Sequence, residues 1–167
     1  YPFYDRCSYF PGIKDSPINS EKLWKLIENT NANAKNFYGG EIWASKTYGK
    51  FFNSPKLKGS HFSSRRRCTE RLAKKKILSP SPTFNCVGPG AVGTGTLAGM
   101  RILNLLKNKA KIWPFDVLNF STKTVVVEIF PSYYFRLSKI KPEKKVGYTI
   151  ENINKSLEFF NSKPLKK

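Results

Sequence analysis

The chain has 167 residues, with 30 Lys and Arg against 11 Asp and Glu and a formal net charge of +19, which excludes a neutral or acidic domain. Hydrophobic residues make up 40% and aromatics 14%, too much apolar material for a disordered polycation and enough for one buried core, so a single domain over residues 1–167 is expected. No apolar run approaches the ~18 residues of a membrane span, and Tyr1-Pro2-Phe3 leads at once into Asp5 and Arg6 rather than into a secretory signal, so a cytoplasmic protein without a membrane partner is expected.

Tyr1 to Tyr4 reads as the end of a buried strand, which makes the chain a candidate fragment. Cys7, Cys68 and Cys86 are odd in number and widely spaced, giving neither a disulfide framework nor a C-x-x-C metal pair. Asp5 to Asn19 has a loop composition. Ser20 then suits a helix cap, with Glu21 in the first turn and Leu23, Leu26 and Ile27 at helical spacing through Glu28. An Asn-rich stretch ends this helix, and Phe37 to Ala44 is ambiguous.

From Ala44 to Lys76 there are eleven basic residues and one acid, Glu70. Because a Lys- and Asn-rich composition can follow from A/T-rich coding DNA alone, this clustering is more informative than the total charge. Ser64 is the expected cap of a second helix, Arg65 to Lys76, with a thin apolar stripe of Cys68, Leu72 and Ala73. Thr83 to Val87 is a short apolar run before a glycine-rich loop, and Thr96 to Lys107 repeats Leu97, Met100, Leu103 and Leu106 as a helix does.

Lys111 to Phe115 and the β-branched Thr124 to Phe130 are the strand candidates, both expected to be buried on two faces, with Pro131 as a stop. Thr149 caps a last helix bearing Ile150, Ile153, Leu157 and Phe160 on one side. Strands separated by helices imply an α/β fold.

Three patterns bear on chemistry. Gly88, Gly90 and Gly93 satisfy G-x-G-x-x-G and, with Gly95, precede a helix whose free N–H groups favour a phosphate; Asp116 lies 23 residues beyond Gly93, near the spacing of a ribose-binding acid. Plain turn chemistry is the competing explanation for these glycines. Glu128, set among Val125, Val126, Val127 and Ile129, is costly to bury unless paired, protonated or bound to metal, and otherwise is an acid on an open strand face. If its strand neighbours that of Asp116, the two carboxylates suit Mg2+. Arg65, Arg66, Arg67, Arg71, Lys74, Lys75 and Lys76 form a cationic helix able to neutralise several phosphates, with a solvated face as the alternative.

Six strings, in order over about four fifths of the chain, carry a family resemblance: Tyr1-Pro-Phe-Tyr-Asp-Arg-Cys-Ser-Tyr-Phe-Pro-Gly12, Leu23-Trp24, Phe84-Asn-Cys-Val-Gly88, Val92-Gly-Thr-Gly-Thr-Leu-Ala-Gly-Met-Arg101, Ile112-Trp-Pro-Phe-Asp116 and Val127-Glu-Ile-Phe-Pro131. Together they resemble a family of uncharacterised bacterial proteins thought to be nucleases of ribonuclease-H-like fold. The resemblance implies a mixed sheet flanked by helices, incomplete here because the family's first acid-bearing strands and its last helix fall outside the sequence. It also implies a divalent-metal-dependent nuclease using Mg2+ or Mn2+, with Glu128 as catalytic ligand and Asp116 or Asp5 as further ligands. As a fragment the chain is expected to be inactive. The alternatives are a non-catalytic, basic nucleic-acid-binding module and, more weakly, a nucleotide-binding α/β enzyme using the glycine loop.

Overall fold

Asn19 rather than Ser20 caps the first helix. Its side chain accepts the Lys22 N–H at 2.8 Å, while the Leu23 N–H already bonds the Asn19 carbonyl at 3.1 Å and so places Ser20 inside the helix. The resulting α1 (Ser20–Thr30) buries Leu23, Trp24 and Ile27 along one side. Asn31 ends it and is itself buried: its amide donates to the Ile27 carbonyl at 2.7 Å, and its Oδ1 accepts the Glu41 N–H at 2.8 Å. The ambiguous stretch becomes a 3-10 turn at Gly40–Ala44, followed by a second at Gly49–Phe51.

α2 (Cys68–Lys76) starts later than the basic run. The cause is a competing pairing: the Arg65 carbonyl accepts both the backbone N–H and the hydroxyl of Thr83, at 2.9 and 3.1 Å, which holds Arg65 in extended chain. Thr83 to Val87 makes no full strand, but Asn53 and Asn85 form an isolated parallel bridge reinforced by a 2.7 Å bond between their side chains.

α3 (Gly93–Leu106) begins earlier than apolar periodicity alone implies, taking two glycines of the loop into its first turn, and buries Leu97, Met100 and Arg101. It packs against α1. A Cβ on Gly39 would stand 2.6 Å from the Leu97 Cβ, so only glycine permits that chain to cross α3 so closely.

β1 (Lys111–Trp113) and β2 (Val125–Val127) pair in parallel, with Lys111, Ile112 and Trp113 opposite Val125, Val126 and Val127. Helices combined with a parallel pair make this a small α/β arrangement, as expected. The strands are shorter than their apolar runs and are not buried on both sides. Successive side chains alternate between faces, and Ile112 and Val126 turn to the core while Trp113, Val125 and Val127 remain exposed.

The structure, a computed structural model, describes residues 8–89, 91–143 and 147–165. They form two compact units, one comprising the residues up to Arg71 with Pro80–Val127, the other Leu72–Ser79 with the residues from Glu128 onward. In the first unit Phe10, fully buried, gathers Tyr48, Phe51 and Phe84 at ring-centre distances of 4.8, 5.3 and 5.6 Å. Leu23, Ile27, Leu97 and Ile112 complete the same core.

The second unit contains α4 (Pro131–Leu137) and α5 (Ile150–Phe159). Pro131, read as a strand stop, is also the start of α4, because a proline at the first helical position lacks an N–H that the helix would leave unbonded anyway. Thr149 caps α5 as its sequence indicates. The cap is reciprocal, Thr149 Oγ1 accepting the Asn152 N–H at 3.3 Å and Asn152 Oδ1 accepting the Thr149 N–H at 3.1 Å. Phe135 and Tyr148 stack at 3.8 Å with nearly parallel rings.

Candidate nucleic-acid interface

The seven cations singled out from the sequence divide by environment. Arg65, Arg66 and Arg67 are half-buried and turned toward the protein. The Arg65 guanidinium lies 5.1 Å from the Phe84 ring centre and donates to the Tyr9 carbonyl at 3.5 Å, while Arg66 Nε donates to the Pro80 carbonyl at 3.0 Å. Arg67 pairs with Glu70: its Nε meets Oε1 and its backbone N–H meets Oε2, both at 2.7 Å. A planar guanidinium with five fixed donors suits such internal bonds better than a lysine does.

Arg71, Lys74, Lys75 and Lys76 are exposed on α2. The single acid of that helix, Glu70, is the one that Arg67 engages. Lys46, Lys56 and Lys58, which the sequence reading counted but did not single out, are exposed in the first unit. α2 therefore presents cations with no unengaged carboxylate of its own, an arrangement that attracts phosphates and weakens as salt screens it.

The carboxylates are placed less favourably for a metal. Glu128 is exposed immediately after β2. Asp116 is half-buried, and its Oδ2 accepts the Ile112 N–H at 2.7 Å, which ties it to the turn that follows β1. Asp5 lies outside the described residues. Among the described residues no group of three His, Cys, Asp or Glu side chains stands close enough to hold a metal ion.

The glycine loop divides in the same way. Gly88 occupies the left-handed region at φ 90°, which a turn there requires, and Gly90 lies outside the described residues. At Gly93 a Cβ would stand 2.4 Å from the Asn85 carbonyl oxygen and 2.7 Å from Cys86 Sγ. Its role is close packing of α3 against the Asn85–Cys86 chain. Gly95 faces open space in the first turn of α3.

Sequence reasoning missed the most elaborate polar cluster. Arg101, only 5% exposed, makes two bonds to the Glu28 carboxylate, Nε to Oε2 at 2.9 Å and Nη2 to Oε1 at 3.1 Å. Its Nη1 also donates to the carbonyls of Ala34 and Tyr38, at 3.1 and 2.8 Å. The hydrogen bonds from Arg101, aided by its charge, hold the Glu28 carboxyl below the usual carboxylate range despite the opposing effect of burial. One signal was available: Arg101 stands four residues after Leu97, on the buried stripe of an otherwise uncharged helix. This clasp joins α1, α3 and the chain between them, and commits four of the five guanidinium donors to partners within the protein. The buried Cys86 thiol is likewise removed from chemistry, burial pushing its pKa up to about 11.

No protein-family description, no curated protein and no solved structure matches this chain. Among the described residues no helix is long and apolar enough to cross a membrane.

Proposed function

We propose that the protein binds nucleic acid through its phosphate backbone, using the exposed cations of α2. The observation that carries this reading is the exposure of Arg71, Lys74, Lys75 and Lys76 on a helix whose one acid is held by Arg67. Backbone binding of this kind is salt-dependent, the logarithm of affinity falling by about 0.7–0.9 per log unit of salt for each phosphate neutralised. Anisotropy titrations of a labelled oligonucleotide across a range of KCl concentrations test it. Replacing the four residues by Gln is expected to weaken binding and to flatten the salt slope by roughly three. Unchanged affinity and slope in that variant would remove α2 from the interface.

A second reading, the metal-dependent nuclease of ribonuclease-H-like fold, draws on one observation: Glu128 is exposed just past the carboxyl end of β2, the end of a parallel sheet at which α/β proteins gather their sites. Among the described residues no group of three candidate metal ligands is gathered, and no hydrolytic step is assigned to them. Oligonucleotide cleavage that needs the metal and disappears in Glu128→Gln would favour the nuclease. Cleavage unaffected by Glu128→Gln would exclude this residue, and absence of cleavage would leave binding alone.

A further inference from the structure

We infer that the open face of the β1–β2 pair is a stacking platform for unpaired bases, so that the nucleic acid bound is single-stranded. This rests on the backbone-binding reading above and adds a second surface, wholly within the first unit.

Trp113 is the key residue. It is 49% exposed, whereas Trp24 is buried and Trp43 half-buried. Strand alternation puts Lys111 on the same face, about 6.6 Å away along β1 from two strand rises. Across the pair, Val125 and Val127 give that face an apolar floor.

The platform is held in place before any ligand arrives. Beneath it Ile112 is anchored in the core. The N–H groups of Phe115 and Asp116 both donate to the Ile112 carbonyl, at 2.8 and 3.0 Å, and Asp116 Oδ2 takes the Ile112 N–H. The Phe115 ring meets Trp24 edge to face at 5.4 Å. With the backbone that carries Trp113 already held, little main-chain freedom is lost when a base stacks on the indole.

Farther along the connection, the Asn119–Thr122 turn is closed by the Thr122 N–H donating to the Asn119 carbonyl and the Asn119 N–H donating to Thr122 Oγ1, at 3.0 and 3.1 Å. It presents Phe120 entirely to solvent. Lys109, Lys111 and Lys123 are exposed along the same stretch. Its one acid, Asp116, already has an oxygen on the Ile112 N–H.

Planar rings interleaved with lysines fit a ligand that offers π faces and phosphates together. A duplex hides those faces between base pairs. An apolar protein surface would have no use for the lysines.

The test titrates the full chain with a deoxyadenosine oligonucleotide, an abasic oligonucleotide of equal length and a duplex, following tryptophan emission and the anisotropy of labelled strands. The expected result is quenching by the single strand alone. Trp113→Leu should abolish the quenching, weaken single-strand binding about five- to hundredfold and leave abasic binding unchanged, while Trp113→Phe, which also lacks the quenching, should partly restore the single-strand affinity read by anisotropy. Abasic strands binding as tightly as the base-bearing ones, or quenching that survives Trp113→Leu, would overturn the platform while sparing the backbone-binding reading. No binding of any strand at low salt would overturn both. A blue shift with phosphatidylserine vesicles, lost in Phe120→Leu and without quenching by oligonucleotides, would reassign the face to an anionic lipid surface.

Discussion

Replacing Arg101 by Met keeps most of the side chain's apolar stem but removes every donor of the clasp. The Glu28 carboxylate then loses two bonds, and the Ala34 and Tyr38 carbonyls lose one each. Breaking a buried ion pair by removing one partner costs about 3–5 kcal/mol. The Glu28 side chain is 27% exposed, so water compensates part of that loss, whereas the carbonyls deprived of a buried donor add roughly 1 kcal/mol each. The net expectation is about 3 kcal/mol of destabilisation, a large share of the ~5–15 kcal/mol that holds a domain together. Urea unfolding followed by circular dichroism measures it. Because the folded-state pKa of Glu28 is lowered, the stabilisation is present above its unfolded value of about 4.3 and is lost as pH falls through the folded value. The gap between the native chain and Arg101→Met should therefore narrow on acidification below about pH 4. A loss under ~1 kcal/mol at neutral pH, or a gap that widens in acid, would refute the role assigned to the clasp.

Three other outcomes follow from local geometry. Gly93→Ala should destabilise the first unit by about 1–3 kcal/mol because its Cβ meets the Asn85 carbonyl, whereas Gly95→Ala, which meets nothing, should stabilise α3 by roughly 0.5–1 kcal/mol; thermal melts of the two variants compare them directly. Thr149→Ala removes the oxygen that accepts the Asn152 N–H and should cost about 1 kcal/mol, seen as faster amide exchange in the first turn of α5. With a pKa of about 11, Cys86 is thiolate only to roughly one part in a thousand at about pH 8, so mass mapping after brief iodoacetamide treatment should find the exposed Cys68 alkylated well before Cys86.

Local chemistry made several elements legible without coordinates. Leu23 and Ile27 marked the buried side of α1, Leu97 and Met100 that of α3, Thr149 the start of α5, and the valine run a strand, because periodicity and capping act over a few residues. Element boundaries were less legible where a distant partner competed: α2 starts at Cys68 because Thr83 claims the Arg65 carbonyl. For the candidate interface, the sequence identified the cationic run and the exposed Arg71 and Lys74 to Lys76 belong to it. It could not separate these from Arg65, Arg66 and Arg67, whose partners Phe84, Pro80 and Glu70 include residues distant in the chain.

The same division holds for the glycines and the strands. Their positions show where the backbone can take unusual paths, yet only tertiary structure decides that Gly93 packs against Asn85 and that Asp116 closes a turn. Composition determined that the chain can bury a core and must carry a large positive charge, both being sums over residues. Which cations face water, which face of β1 and β2 remains open, and that Arg101 reaches back to Glu28 were decided by tertiary structure, because burial and pairing depend on residues brought together from far along the chain.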